Sequence, residues 1–423
     1  MNRMTLFLIL VCGQLSVPML SFAEASIPEK VILLKTPSGE NTSLSRLVSD
    51  AKGELHLSWV KTTGDHQGLY YSTLNELSWS PAKLIAEGDN WFVNWADFPS
   101  LVVNQNSMTA HWLQMRAEGT YDYDVRASFF DSVKQIWGED IVVHKDGVNA
   151  EHGFVSMLPM ADDNTFITWL DGRLTKTKDD RGELGGMTLR AGVFDRRGNI
   201  QEDWLLDELT CDCCQTNAAM TDVGPVVVYR DRTIDEVRDI YITRLENNVW
   251  SKPVAVSHDN WVVAGCPVNG PDVSAKNGLM VVSWFSAKND RSEVKLAYSH
   301  DAGKTFGEPV VVAQNSTNGR VGVTILDSGI VAATWLETEN QNAKIMVAYY
   351  GQNTTLLSSF VVAETKSSRR SGFPMVESIG DDVYLTWTDI SGSAKVNVAK
   401  IPLPAGVKLK LMLSKPAVAQ IEN

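Results

Sequence analysis

The stretch Val383-Tyr384-Leu385-Thr386-Trp387 belongs to a pattern that occurs seven times along this chain of 423 residues. Apolar and small residues alternate in it and an aromatic residue closes it, which is typical of a strand with one buried face. The closing aromatic residues recur every 51 to 60 positions, as Trp59, Trp112, Trp169, Tyr229, Trp284, Trp335 and Trp387.

A repeat of this length, with about four short strands in each copy, predicts a β-propeller in which each repeat is one blade. One blade cannot bury both faces of its sheet, so the copies must stack into a closed ring. We therefore expect an all-β protein, a single β-propeller with seven blades of four antiparallel strands, and six blades as the alternative. The run Lys30–Lys35 is expected to close the ring by supplying the missing outer strand of the last blade.

The first 25 residues have the pattern of a secretory signal peptide. Arg3 supplies a positive charge near the start, Leu6–Val11 is an apolar run, and Ala23 and Ala25 mark two cleavage sites. No later stretch approaches the roughly 18 apolar residues of a membrane span. We therefore predict an exported protein, periplasmic or secreted, with a propeller over residues 26–403 and a tail at 404–423.

The chain is acidic, with a formal net charge of −13 and no basic cluster. This charge argues against nucleic acid or anionic membranes as partners, because both repel an acidic surface. A chain of this length would ordinarily predict two or three domains, but the even repeat predicts one.

The turn Ser299–Phe306 carries the clearest short motif. Its sequence, SHDAGKTF, resembles the Asp-box of the sialidase superfamily, Ser-x-Asp-x-Gly-x-Thr-aromatic. Asp301 is expected to accept hydrogen bonds from the turn backbone, Gly303 to supply a positive φ, and Phe306 to pack between sheets. Degenerate copies occur at residues 72–79, 130–137 and 245–250. The motif predicts the fold and, as a folding device, says nothing of catalysis.

Propeller topology divides the connecting segments between two faces. With the strands of a blade labelled a to d from the channel outward, the a–b and c–d turns lie on one face, here called the far face. The b–c loops and the blade-to-blade connections lie on the other, here called the near face, around the channel mouth. The segments richest in His, Cys, Arg and Gly belong to the near face, which predicts a ligand site there.

The charged residues of this face are the first site candidates, because arginine forks recognise carboxylates and a carboxylate serves as acid or base. Asp171 and Asp231 follow the closing aromatic residues of neighbouring blades. The alternative for residues 230–239 is a solvated loop of mutually satisfied ion pairs. His152 is either a ligand-binding or acid/base group, or a hydrogen-bonded cap of its strand. The ligand-binding candidates are Arg126, His152, Arg173, Arg230, Arg232, Arg320 and Arg370.

Four cysteines, Cys211, Cys213, Cys214 and Cys266, fall in two successive connections and are expected to meet at the channel mouth. In an exported protein the first expectation is a disulfide that joins Cys266 to one member of the triplet. Three thiols within four residues and a fourth nearby also suit a soft metal, Cu or Zn, and redox exchange is a third interpretation. The sequence requires no other cofactor.

Over its predicted mature length the chain resembles the sialidase-like propellers with Asp-box repeats, and CDCCQT, YRDR and GCPVNGP resemble segments of exported members. The resemblance implies an exo-sialidase type of glycoside hydrolase, with an arginine triad, a tyrosine nucleophile and an aspartate acid/base. The catalytic candidates are then Asp171, Tyr229 and Asp231. The Arg-Ile-Pro motif of those enzymes is absent, since Ser26-Ile27-Pro28 lacks the arginine.

The sequence therefore leaves open whether the protein is an enzyme, and two functions remain. The first is a protein that binds an anionic glycan or small anionic ligand through near-face arginines and loop aspartates, with hydrolysis as an extension. The second is a non-enzymatic or redox scaffold whose cysteines hold a soft metal such as copper or zinc.

Overall fold

The computed structural model describes residues 31–178 and 181–414, and of 411–414 the backbone alone. Within these residues the strands form seven antiparallel sheets arranged as the blades of a propeller, which confirms the predicted fold and the count of seven. The predicted signal segment, 1–25, and the end of the predicted tail, 415–423, lie outside the described residues.

The first strand of the described residues, β1 (Ile32–Leu34), belongs to the last blade, and the next three blades follow in chain order. The first blade consists of β2 (Thr42–Ser49), β3 (Leu55–Thr63), β4 (His66–Asn75), β5 (Ser78–Trp79) and β6 (Lys83–Gly88). The second consists of β7 (Ser100–Val103), β8 (Met108–Met115), β9 (Tyr123–Asp131), β10 (Ile136–Trp137) and β11 (Ile141–Val142). The third consists of β12 (His152–Pro159), β13 (Thr165–Asp171), β14 (Met187–Phe194) and β15 (Ile200–Thr210).

The remaining four blades complete the ring. The fourth consists of β16 (Asn217–Thr221), β17 (Gly224–Arg230), β18 (Ile240–Glu246), β19 (Val249–Trp250) and β20 (Val254–Ala255). The fifth consists of β21 (Asp272–Lys276), β22 (Leu279–Ser286), β23 (Glu293–Ser299) and β24 (Val310–Gln314). The sixth consists of β25 (Thr317–Ile325), β26 (Val331–Glu339), β27 (Asn342–Tyr350) and β28 (Leu356–Lys366). The seventh consists of β29 (Met375–Ile379), β30 (Asp382–Asp389), β31 (Lys395–Ile401) and β1.

Helices are few and short among the described residues. They are α1 (Arg173–Lys176), α2 (Ala405–Ser414) and single 3-10 turns at Ala161–Asp163, Lys288–Asp290 and Arg369–Ser371. The first part of the predicted tail is helical, and Val407 packs with Leu403 against the sixth and seventh blades. In the described part of the chain no helix is both long and apolar enough to span a membrane.

The seven aromatic residues of the repeat lie on the second strand of their blades and are at most 4% exposed. Each belongs to an apolar core shared by two blades. Tyr229 of the fourth blade, for example, packs with Phe166 and Leu189 of the third. Comparable cores join all six of the remaining pairs of neighbouring blades around the ring. Packing between sheets, driven by burial of these side chains, therefore holds the ring together.

The outer edge of three blades differs from a simple fourth strand. In the first, second and fourth blades it is divided into a two-residue strand and a second short strand, both paired with strand c. The two-residue strands coincide with the degenerate Asp-box copies, where Trp79, Trp137 and Trp250 pair across tight hairpins with Leu74, Phe130 and Leu245. The degenerate Asp-box copies thus still form turns, and these turns interrupt the outer strands.

The Asp-box turn between β23 and β24 has the hydrogen bonds that its sequence predicts. Asp301 accepts from the backbone N and the hydroxyl of Thr305, at 2.9 and 2.6 Å. Gly303 has φ 81°, and its N–H donates to the Ser299 hydroxyl at 2.9 Å. Phe306 packs against the core between the fourth and fifth blades.

The predicted division into two faces agrees with the pocket beside this turn. A far-face cavity of about 500 Å³ is lined by residues 300–302 of the Asp-box turn and by the a–b turns at 220–223 and 275–280. The first strands of the blades line a separate central cavity of about 250 Å³. Arg46 lies in that central cavity with Asp272 and Glu377, whose pKa values are raised by burial.

Strand β1 joins the seventh blade by antiparallel pairing with β31, with Leu34 opposite Val398. Leu34 is 7% exposed in the core between the seventh and first blades, whereas Leu33 points to the other side of the strand and is 69% exposed. Two segments from opposite ends of the described chain are therefore held in one blade.

This contrast predicts different effects for two alanine substitutions in β1. Leu34→Ala is expected to lower the free energy of unfolding by about 2–4 kcal/mol, because it leaves a cavity in an interblade core. Leu33→Ala, the matched control, should change it by no more than about 0.5 kcal/mol. Denaturant unfolding measures both, and equal effects would show that β1 does not contribute to the core.

For the Asp-box, Asp301→Ala is expected to lower the free energy of unfolding by about 1–2 kcal/mol, because the Thr305 N–H and hydroxyl lose their acceptor. Asp222→Ala, at an exposed position on the neighbouring far-face turn, is the control. Ligand binding on the near face should be the same in both variants, and calorimetric titration together with thermal unfolding checks this.

Candidate functional site

Arg230, at the end of β17, shows how near-face segments from different blades meet. Its guanidinium donates to the carbonyl oxygens of Asn269, Arg238 and Phe285, at 2.6 to 3.1 Å. It also lies over the ring of Trp261 and is only 2% exposed. Although the sequence placed Arg230 among the ligand-binding candidates, its N–H groups are largely occupied by the protein itself.

Most other candidate arginines are likewise engaged by protein groups. Arg320 is 5% exposed and donates to the Ser371 hydroxyl and the Gly372 carbonyl. Arg370 is exposed on the near face. The ion pairs of the remaining three are Arg126 with Asp140, Arg173 with Asp171 and Asp146, and Arg232 with Asp212 and Glu236.

The three catalytic candidates are buried. Asp171 is 0% exposed, Tyr229 is 1% exposed and donates a short hydrogen bond to Asp207, and Asp231 is 9% exposed. Burial raises the pKa of Asp231 to about 7. A tyrosine buried in this way is held as a hydrogen-bond donor within the wall, and the structure does not present it to the channel mouth.

A different tyrosine lies between two carboxyl groups. The Tyr123 hydroxyl oxygen is 3.0 Å from Asp97 Oδ2 and 3.0 Å from Glu151 Oε1. Asp97 comes from the connection before the second blade, and Glu151 from the connection before the third. The Asp97 carboxylate also accepts the Phe154 N–H at 2.8 Å. Asp97 and Tyr123 are 1% and 0% exposed, and Glu151 is only partly buried, so the trio is reached through Glu151.

This arrangement keeps a proton on the carboxyl pair. A phenol has one hydrogen, so both contacts are hydrogen bonds only if one carboxyl retains its proton and donates it to the Tyr123 oxygen. Burial, more than any other influence, raises the pKa of Asp97 to about 7 and that of Glu151 to about 8. Like charge raises the pKa of Glu151 further, because Asp97 is near it.

Gly153 permits the close approach of Asp97 to this strand. A β-carbon at Gly153 would lie 2.0 Å from Asp97 Oδ2 and 3.0 Å from the Tyr123 ring. Any larger residue would therefore displace the carboxylate, so glycine is required here by space.

His152 lies beside this trio in a separate buried network. Its Nδ1 is 3.1 Å from the Ala150 carbonyl, and its Nε2 is 3.2 Å from Asp146 and 3.6 Å from Asp171. Both nitrogens thus face acceptors, which favours the protonated ring. Burial lowers the pKa of His152, but the contacts with the two aspartates outweigh it and raise the pKa. The ring stacks on His144 at 3.6 Å.

Arg173 completes this network by donating to both oxygens of Asp171, at 2.7 and 2.6 Å. Trp169 Nε1 donates to the same carboxylate at 2.9 Å. The histidines and aspartates are close enough to surround a metal ion. However, His152 and Arg173 already contact both Asp146 and Asp171. We therefore interpret the network as ion pairs that join the second and third blades.

Another part of the near face contains Trp95, the buried Arg320 and the exposed Arg369 and Arg370. Trp95 is stacked on Phe373, with ring centroids 5.7 Å apart, and the guanidinium carbons of Arg320 and Arg369 lie 5.0 and 5.8 Å from its ring. Arg369 and the adjacent Arg370 are both exposed. Trp95 borders two cavities, of about 600 Å³ on the side of Arg370 and about 260 Å³ on the side of Arg369.

The cysteines are divided between two places. Cys211 Sγ is 3.3 Å from Cys214 Sγ and 4.0 Å from Cys213 Sγ, and the three sulfurs form one group. Cys266 lies outside this group, is exposed, and borders the cavity beside Arg369. All four are free thiols. The expected cluster of four is thus a cluster of three. The segment before Cys266 is held to the fourth blade by backbone hydrogen bonds from the Arg238 N–H to the Trp261 carbonyl and from the Val263 N–H to the Glu236 carbonyl.

The sequence did not indicate four residues of these sites, namely Asp97, Tyr123, Glu151 and Arg369. The first and third lie in connections that were assigned to the near face, so their placement was predictable. Their meeting at Tyr123 was not, since the tyrosine belongs to a strand c, whose residues were assigned to the sheets.

Comparison with known proteins shows the fold alone. No protein-family profile and no curated sequence matches the chain. A puromycin-hydrolyzing peptidase of Mycobacterium tuberculosis has a TM-score of 0.50 at 9% identity over 90% of this chain and 56% of its own. An α-L-arabinofuranosidase of Fusarium graminearum has a TM-score of 0.47 at 10% identity, with 88% and 96% covered. The Hadza microbial sialidase Hz136 has a TM-score of 0.41 at 14% identity, with 70% and 63% covered.

The propeller that the Asp-box resemblance implied is therefore the fold of this chain. The fold thus leaves the function to be argued from the site residues.

The retained proton predicts a pH dependence of stability that Glu151→Gln reduces, while Asp97, whose pKa is also raised by burial, still titrates. The folded-state pKa of Glu151, about 8, lies above its ordinary value. Between those two values the folded chain holds a proton that the unfolded chain releases, so stability falls as pH rises toward 8. The free energy of unfolding of Glu151→Gln, measured relative to that of the parent, should therefore rise by on the order of 1–3 kcal/mol between pH 5 and pH 8.5.

Thermal unfolding at several pH values measures this difference, with Glu118→Gln, at an exposed near-face position, as the control. A constant difference in stability between Glu151→Gln and the parent across this pH range would contradict the retained proton.

Proposed function

We propose that this protein binds an anionic glycan at the near face through Arg369, Arg370 and the indole of Trp95. The observation that carries the proposal is the exposure of both guanidinium groups beside an immobilised tryptophan. A planar guanidinium donates two parallel hydrogen bonds to a carboxylate, and an aromatic face packs against a sugar ring.

The charge of the surroundings supports an anionic ligand. The chain as a whole is strongly acidic, and Arg126, Arg173 and Arg232 are neutralised by neighbouring carboxylates. Arg369 and Arg370 instead extend from a short 3-10 turn before the seventh blade and reach solvent. An exposed positive pair in an acidic protein is a local site of attraction for an anion.

The lining of the two cavities supports a ligand with many hydroxyl groups. Around the larger cavity, side-chain amides and hydroxyls alternate with glycine and small residues, and the smaller cavity adds further amides. Both can donate to and accept from sugar hydroxyls. The polar lining residues are Asn41, Ser43, Thr62, Thr63, Asn94 and Ser393 in the first and Asn269, Asn318 and Ser367 in the second.

Hydrolysis is the enzymatic extension of this proposal. The connection that carries Trp95 also carries Asp97, and a carboxyl group that keeps its proton near neutral pH is the general acid that a glycosidic oxygen needs. A glycan ligand also fits an exported protein, which is what the amino-terminal segment predicts.

Calorimetric titration with sialylated and uronic-acid oligosaccharides, each paired with its neutral counterpart, tests the proposal. We expect acidic oligosaccharides to bind and the neutral ones to bind at least tenfold more weakly. Because a contact between arginine and carboxylate contributes about 1.5–3 kcal/mol, Arg369→Ala and Arg370→Ala should each weaken binding about ten- to a hundredfold. The effect should shrink as salt is added.

Arg196→Ala is the matched control, because Arg196 is an exposed arginine on the c–d turn of the third blade, on the far face. Arg230→Ala should reduce stability more than affinity. Parent-like binding by both Arg369→Ala and Arg370→Ala would overturn the proposal. Release of free sugar in the same samples, assayed alongside Glu151→Gln, decides whether the bound glycan is also cleaved.

A further inference from the structure

The sulfur atoms of Cys211, Cys213 and Cys214 lie where the ligands of a single metal ion would lie. The Cys211 sulfur is 3.3 and 4.0 Å from the other two, and all three lie within 4.8 Å of one another. Three sulfurs placed symmetrically at about 2.3 Å from a metal are about 4.0 Å apart. The triplet is therefore nearly arranged for coordination before any metal arrives.

The surroundings of the triplet favour thiolate sulfur. Arg238, which is 3% exposed, donates from Nη1 to Cys211 Sγ at 3.2 Å. A buried guanidinium that donates to a sulfur stabilises the thiolate through both the hydrogen bond and its positive charge.

We propose that Cys211, Cys213 and Cys214 bind one Cu(I) ion through three thiolate sulfurs. The ion displaces the S–H protons to solvent, and no electron is transferred. This site is separate from the glycan site at Arg369 and Arg370, and it does not depend on the function proposed there.

Copper(I) fits this group better than zinc does. Soft thiolate ligands select Cu(I), which accepts three sulfurs, whereas a structural Zn(II) site is almost always completed by four protein ligands. The nearest carboxylate along the chain, Asp212, pairs with Arg232 at 3.2 Å. Within the described residues Cys266 is not part of the group, so no fourth cysteine is at hand.

The burial pattern gives the ion one route in. Cys211 and Cys214 are 1% and 2% exposed, whereas Cys213 is only partly buried. Cys213 therefore meets an incoming copper carrier first, and the two buried sulfurs then complete the site. Such a route suits exchange of Cu(I) between thiolate sites, in which one ligand is replaced at a time.

Titration of the reduced full-length protein with Cu(I) under nitrogen, in competition with bathocuproine disulfonate, tests the proposal. Prior reduction removes any disulfide, and a thiol count confirms it. We expect one Cu(I) per chain and sulfur-to-copper charge-transfer absorption in the near ultraviolet. X-ray absorption should show three sulfurs at about 2.3 Å.

Three serine variants locate the site. Cys211→Ser and Cys214→Ser should each weaken Cu(I) binding by more than about a hundredfold, since even outer-shell changes cost 10–100-fold. Cys266→Ser, the matched control, should bind as the parent does. Circular dichroism and thermal unfolding establish that each variant is folded, and the absorption spectrum of the parent provides a readout that does not depend on the variants.

Several results would overturn the proposal. One is parent-like Cu(I) affinity in Cys214→Ser, and another is a loss of Cu(I) affinity in Cys266→Ser as large as that in Cys211→Ser. The others are two sulfurs in place of three around copper, and tighter binding of Zn(II) than of Cu(I) by the reduced parent.

Discussion

Packing between neighbouring sheets is the interaction on which the rest of this structure depends. The repeated aromatic residue on each second strand is buried in a core that two blades share, so no blade completes its interior alone. A change in one blade must therefore alter the position of the next, and the loops that these sheets carry inherit that rigidity. Precise placement of near-face side chains follows from the cores beneath them.

The near face divides its polar residues between structure and solvent. Arg230, Arg173 and His152 satisfy carbonyl and carboxylate groups where connections from adjacent blades converge. Such internal pairing leaves these groups little charge for a ligand, whereas Arg369 and Arg370 are exposed on the same face. The central part of this face is thus a network of ion pairs and hydrogen bonds between blades. The sites that we propose for a glycan and for Cu(I) lie outside it, beside the seventh blade and at the cysteine triplet.

The repeat of aromatic residues predicted the fold because each copy depends on neighbouring residues alone. Each copy marks a buried strand in its own blade. The Asp-box turn was predictable for the same reason, as Asp301 and Thr305 are four residues apart. The site was harder to predict, because contacts such as Tyr123 with Asp97 join different elements across a connection. Sequence could place Arg230 on the near face, but it could not show that carbonyl groups of three other segments would surround it.

The pairing of β1 with β31 has a consequence for the order in which the molecule can be assembled. A ribosome makes Leu34 early and Val398, its partner, near the end of the described chain. Until then β1 has an unpaired edge, and the ring is an open arc that exposes one apolar sheet face at each end. Closing so long a loop delays the final step relative to hairpin formation within each blade. The incomplete ring is therefore exposed to self-association until β31 has formed and β1 can pair with it.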